Sequence, residues 1–139
     1  MASSASTRIW TRRLDPAAKA VLVPVRLVGP AGATEDALFV LDTGTPVTII
    51  DQRMAAVVGL GEDRSEGLSR LWGPTGYDEG YRVRPSSMTL LGQSLTAHQI
   101  RCHHLSTGAG IDGLIGLDVL RLGRLTLDMP WGHVEFKWH

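Results

Sequence analysis

Asp42-Thr43-Gly44 is the first place along the chain where a reaction can be read from residue types. The triplet ends a continuous apolar run, residues 37–41, and a carboxylate at the end of a buried strand is costly to keep ionised without a purpose. A structural Asp in a turn more often follows polar chain and caps a nearby amide. The other reactive residue types are scattered. His103 and His104 are neighbours in an expected strand, so they point to opposite faces and cannot hold one metal ion together. Solvated or edge positions are expected for them and for His98, His133 and His139. No metal site and no cofactor site is expected. Cys102, the single cysteine, has no disulfide partner within the chain and reads as a half-buried strand residue. Asp112 and Asp118 are expected to cap turns, with Arg121 and Arg124 pairing with Asp118 or Asp128 at the surface.

These residues have to be positioned by short elements. Val21, Val23, Val25 and Leu27 alternate ahead of a Gly-Pro turn and predict a strand, and residues 37–41 predict one buried on both faces. Residues 47–50 form a second apolar stretch. Asp51 can cap a helix over residues 52–58, which Gly59 or Gly61 would end. The polar, glycine-punctuated stretch 61–85 suggests a projecting hairpin, with turn signals at residues 72–76 and 78–80. Strands are expected over 88–91, 95–103, 124–128 and 133–138, and a short helix over 118–122. An apolar strand, a tight turn and a short helix occur around Asp42 and again around residues 113–116, as two halves about a pseudo-twofold axis would show. Residues 1–16 read as a flexible N-terminal arm ahead of a single domain, residues 17–139.

The 139 residues, 43% hydrophobic and 20% charged, suit one soluble globular domain of mostly β structure. Fourteen basic residues balance fourteen acidic ones, so no net field draws in nucleic acid or an anionic membrane. No apolar run reaches the roughly 18 residues of a membrane span, and no convincing signal peptide is recognised. The expected location is the cytoplasm.

Residues 39–44, Phe-Val-Leu-Asp-Thr-Gly, followed seventy residues on by Asp-Gly-Leu-Ile-Gly-Leu-Asp-Val-Leu at 112–120, resemble the retropepsin-like aspartic proteases, the single-domain relatives of retroviral protease. The resemblance covers about residues 21–136. It implies an all-β acid protease barrel with one or two short helices, working as a homodimer on extended peptide or protein substrates. It also implies that Leu114, Ile115 and Gly116 pack behind the catalytic turn. A glycine-bearing hairpin would form a flap, with Trp72, Gly73, Thr75 and Gly76 as its candidates and Trp72 beneath the tip. Asp42 would be the catalytic residue, supported by Thr43, which would bond across the twofold axis, and by Gly44, which lets the loop turn tightly.

The chemistry of the residues agrees with what the resemblance implies. Hydrolysis of an amide by water needs a base for the water and an acid for the carbonyl oxygen, and one carboxylate cannot hold both roles. Only one Asp-Thr-Gly is present, so a second copy of the chain has to supply its own Asp42. Two carboxyls that close share one proton, the behaviour for which aspartic protease dyads are the standard case. The chain departs from the family after Gly44, where Thr45 and Pro46 stand; a Thr45 hydroxyl bonded to the carboxylate would favour an acidic pH optimum. The alternative reading is a homodimeric peptide-binding module on the same fold that does not cleave. The string Asp-Thr-Gly-Thr is also similar to the phosphorylated loop of haloacid dehalogenases and P-type ATPases. Those need one more residue after the Asp and a doubly wound sheet, neither of which is present.

Overall fold

The computed structural model describes residues 8–106 and 110–139. The central strand is β3 (Thr34–Leu41), in which Ala37, Phe39 and Leu41 are buried in the core while Leu38 and Val40 are half-buried on the opposite face. That alternation separates a core face from a second face, and it recurs in the two strands paired with β3. β2 (Leu22–Val28) pairs antiparallel with it, and Val23, Val25 and Leu27 turn inward. β10 (Gly113–Ile115) lies parallel to β3 on its other side and antiparallel to β4 (Ile49–Asp51). β4 is in turn parallel to β9 (Ile100–His103).

Beyond β9 the sheet continues into a hairpin, β6 (Gly76–Val83) and β5 (Leu68–Gly73), and beyond β2 into β7 (Ser87–Leu90) and β8 (Gln93–Thr96). The result is a nine-stranded sheet in the order β5-β6-β9-β4-β10-β3-β2-β7-β8. A three-stranded sheet, β1 (Ile9–Arg13), β12 (His133–Trp138) and β11 (Gly123–Asp128), packs Val134, Phe136 and Trp138 inward. Phe136 and Trp138 meet edge to face at 5.0 Å, and the Trp138 indole donates to the Leu91 carbonyl at 2.7 Å. Each fully buried side chain of this kind contributes about 1.5–3 kcal/mol.

The short helices obey their caps. α1 (Gln52–Val57) begins at Asp51, whose carboxylate accepts from the Arg53 amide, and ends at Gly59 with φ of +79°. The amides of Gly59 and Leu60 return to the carbonyls of Ala56 and Ala55, a glycine-closed helix end. α2 (Leu117–Leu120) starts at Gly116.

Three features of the fold differ from the sequence reading. Residues 9–13, expected within a flexible arm, form β1 because β12 offers it a free edge; residues 1–7 lie outside the described chain. The single strand expected over 95–103 is two, because Ala97 takes a left-handed φ of +52° and breaks it. Cys102 is fully buried rather than half-buried.

Candidate active site

β3 delivers Asp42 onto its non-core face, since Leu41 before it is in the core. The Asp42 amide donates to the Ile115 carbonyl at 2.9 Å, and one carboxylate oxygen, Oδ1, accepts from the Gly44 amide at 2.8 Å. Among the described residues no donor reaches Oδ2. A Cβ on Gly44 would sit 3.1 Å from Oδ1, so the tight turn that brings this amide to the carboxylate is crowded for any other residue. Thr43 and Gly44 are exposed, and Asp42 is half-buried.

The loop is braced from behind by the element that follows β10. Gly116 lies so close to Val47 that a Cβ there would meet the Val47 carbonyl at 2.5 Å. The Leu117 amide donates to the Thr45 carbonyl at 2.9 Å, and the Asp118 amide to the Pro46 carbonyl at 3.2 Å. Ile115 is fully buried and Leu114 is half-buried on the face that carries Asp42. Ile115 and Gly116 meet the loop through the Asp42 amide and Val47, while Leu114 stands on the Asp42 face. Thr45 does not face the carboxylate: its hydroxyl donates to the Val47 carbonyl at 3.0 Å and is buried. It stiffens the loop instead of tuning Asp42.

Asp118 carries a second layer of this bracing. Its Oδ1 accepts from the Thr48 hydroxyl and its Oδ2 meets His98 Nε2, each at 2.8 Å, while Thr48 Oγ1 accepts the Gly116 amide at 3.1 Å. Burial alone would push the Asp118 carboxyl up, but the bonds from His98 and Thr48 outweigh it and hold it below the usual range. The expected surface pairs with Arg121 and Arg124 do not form; Asp118 is engaged inward, and Asp128 accepts from the Trp131 amide. Asp112 likewise binds the Leu38 amide at 2.9 Å and so anchors β3 instead of capping a turn.

The hairpin β5–β6 turns at Pro74-Thr75, between Gly73 and Gly76. Trp72 is not beneath this tip. It is 75% exposed and packs on Tyr77 at 4.9 Å, with the Arg70 guanidinium over the Tyr77 ring at 4.7 Å, on the hairpin face opposite Leu71 and Asp78. Thr75 and the two glycines are at the exposed tip.

One array has no motif in the sequence. His103 is fully buried, not solvated, and its Nδ1 lies 2.8 Å from Asp78 Oδ2 while its Nε2 lies 2.8 Å from Ser69 Oγ, which accepts from Arg101 Nη1 at 3.1 Å. Arg101 donates to Ser69, and His103 bridges Ser69 and Asp78 through its two ring nitrogens, so the four side chains form one continuous hydrogen-bonded chain. The chain looks like a nucleophile, a base and an acid, but Ser69 is 1% exposed and no carbonyl can approach it. It ties both hairpin strands to β9. Gly80 makes the room, since a Cβ there would lie 2.7 Å from the imidazole. The one sequence signal is the alternation in β9 of polar Arg101 and His103 with apolar Ile100 and Cys102.

Among the described residues no cluster of three or more His, Cys, Asp or Glu side chains could hold a metal ion, and no helix is long and apolar enough to cross a membrane. Two concavities, about 340 Å³ between residues 13–21 and 127–132 and about 480 Å³ beside Gln52, Glu62 and Tyr81, do not contain Asp42.

A family model described as aspartyl protease matches residues 15–119, which include the Asp42 loop, β10 and its glycine. The chain belongs to the aspartyl protease family. This aspartyl protease family member is similar in fold to a retropepsin-like aspartic protease from Rickettsia conorii, with a TM-score of 0.69 over 91% of this chain and 97% of that one, at 11% identity. At that identity the likeness speaks for the fold alone. No curated protein sequence matches the chain.

Proposed function

We propose that the chain is an aspartic endopeptidase whose active site forms when two copies bring their Asp42 loops together. The observation that carries this reading is the state of Asp42 itself. One carboxylate oxygen is fixed by the Gly44 amide, the other has no donor among the described residues, and the loop beneath is braced by Gly116, Thr45 and Thr48. That is half of a water-holding site, preorganised and incomplete.

In the paired site the two carboxyls share one proton. The ionised one takes a proton from the lytic water as its oxygen attacks the scissile carbonyl. The protonated one donates to the carbonyl oxygen, giving a tetrahedral gem-diol. Collapse returns a proton to the departing amine and frees two peptides. Thr43, exposed beside Asp42, meets the partner loop across the twofold axis. The β5–β6 hairpin, with Gly73, Thr75 and Gly76 at its tip, closes over an extended peptide through main-chain bonds, and Trp72 and Tyr77 stay on its other face.

The test is digestion of a diverse peptide mixture by wild type and by Asp42→Asn, across enzyme dilution. Cleavage that the variant lacks, and whose specific activity falls as the dimer dissociates, supports the shared site. Activity constant per chain into the monomeric range overturns it. Equal peptide binding without cleavage by either protein makes the non-catalytic module the better reading.

A further inference from the structure

The row of residues that crosses the sheet level with the active-site strand can be followed by register alone. Val40 pairs with Leu114, Leu114 with Ile49, Ile49 with Arg101, and Arg101 with Arg82. All five side chains lie on the face opposite the core cluster, since their chain neighbours Phe39, Leu41, Ile115, Ile50, Cys102, Ile100 and Val83 belong to it, and Ile49 among the five is itself buried. Asp42 is on that same face two residues beyond Val40. The row is therefore apolar beside the candidate catalytic residue and cationic beyond it.

The cationic end is anomalous as structure. Arg82 and Arg101 stand directly opposite one another on antiparallel strands, an arrangement that like charges make unfavourable. Neither forms an ion pair with any described carboxylate. Arg82 Nε is buried and has no hydrogen-bond partner, and its guanidinium lies over Gly67. Arg101 spends one N–H on Ser69 and is held in place by the chain through His103 to Asp78. The acids nearby are engaged elsewhere. Asp78 accepts from His103, and Glu66, whose charge reaches Arg82, takes Arg84 Nε at 2.7 Å and Gln99 at 2.8 Å. Two arginines on directly opposite residues, neither ion-paired to a described carboxylate, leave guanidinium donors for an anion.

We propose that Arg82 and Arg101 form a specificity subsite that binds an Asp or Glu side chain of the peptide substrate. The proposal rests on the peptidase reading of Asp42. Arg101 is two strands from Leu114, roughly 10 Å, which an extended peptide spans in about three residues. A dimer presents the subsite twice, once on each side of the scissile bond. The selected substrate has apolar residues at the bond and a carboxylate about three positions from it.

The experiment uses amidated peptides, so that only side-chain carboxylates count, with Glu or Gln placed in turn at each of four positions on either side of an apolar pair. Wild type, Arg101→Met, Arg101→Glu and Arg82→Met are compared for kcat/KM, and the binding of the same peptides to Asp42→Asn is followed by fluorescence anisotropy. The expected result is a preference for Glu over Gln of roughly tenfold at one position, in cleavage and in binding. Arg101→Met and Arg82→Met lose that preference while still cutting the Gln peptides, and Arg101→Glu favours Lys at the same position. Should the Arg variants fail to fold, the wild-type preference itself must shrink as salt rises. Cleavage that Asp42→Asn abolishes, with no position favouring Glu, overturns the subsite and leaves the peptidase reading standing. Tighter binding of the Glu peptides with no cleavage by wild type supports the subsite and overturns the peptidase reading. Equal binding of Glu and Gln peptides overturns the subsite in either case.

Discussion

The amide of Asp42 donates to the carbonyl of Ile115 at 2.9 Å, so the strand that bears the carboxylate and the strand that ends in Gly116 share one register. A shift of either segment moves the other. The sensitivity of the site to residues that never meet a substrate follows from this bond.

Gly116→Ala is the sharpest case. The added methyl falls 2.5 Å from the Val47 carbonyl, a backbone atom that cannot swing away. The expected result is a loss of about 1–3 kcal/mol of stability, read as a lower urea midpoint, with activity falling further than stability does because the Asp42 loop is displaced.

Ile115→Ala acts through volume instead. Ile115 is fully buried behind the loop, and its truncation is expected to cost about 2–5 kcal/mol. Chemical denaturation with an unchanged m-value measures it; a loss below about 0.5 kcal/mol would contradict the burial.

Asp118 makes stability depend on pH in a defined direction. Its folded carboxyl titrates below the unfolded value of about 3.9, so its contribution is complete above that pH and fades as pH falls toward the lower folded value. Urea midpoints measured from about pH 7 to about pH 3 should fall on the acid side for wild type. Asp118→Asn should be less stable at neutral pH and show a shallower acid decline. A variant with the full wild-type slope assigns the acid sensitivity to other carboxyls.

Ser69→Ala removes the middle of the chain that ties the hairpin to β9 and leaves His103 Nε2 buried without its hydrogen-bond partner. The expected cost is about 1–3 kcal/mol. Hydrogen exchange localises it: amides of residues 68–83 should exchange faster, while those of β3 keep their protection.

Trp72→Ala provides the contrast on the same hairpin. At 75% exposure Trp72 contributes little burial, and stability should move by no more than about 0.5 kcal/mol. KM should not change, since Trp72 is on the hairpin face away from the proposed cleft; a large fall in thermal midpoint would mean that its packing on Tyr77 holds the hairpin together.

Much of this architecture is legible in the amino-acid sequence. β3, β2, the cap at Asp51 and the glycine that ends α1 are written in local pattern, and local pattern is what short-range sterics and capping obey. That residues 114–116 belong with the Asp42 loop is expected from resemblance alone, whereas the close approach of Gly116 to Val47 is visible only in three dimensions. What stays hidden depends on distant pairing. His103 reads as a solvated histidine because nothing local announces Ser69, thirty-four residues away, or Asp78, twenty-five away. β1 reads as loose because its partner, β12, lies at the far end of the sequence. The Thr45 hydroxyl takes a different acceptor from the one expected because its choice between a carboxylate and the Val47 carbonyl is set by rotamer, which sequence does not display.

The pairing of Ile9 with Lys137 has a consequence for synthesis. The whole of the chain between β1 and β12 is synthesised after β1 and before its partner, so β1 passes that interval with a row of unanswered amides. Such an edge invites strands from other chains. The three arginines at positions 8, 12 and 13 sit in and beside that strand, and like charges there disfavour the pairing of two copies of it.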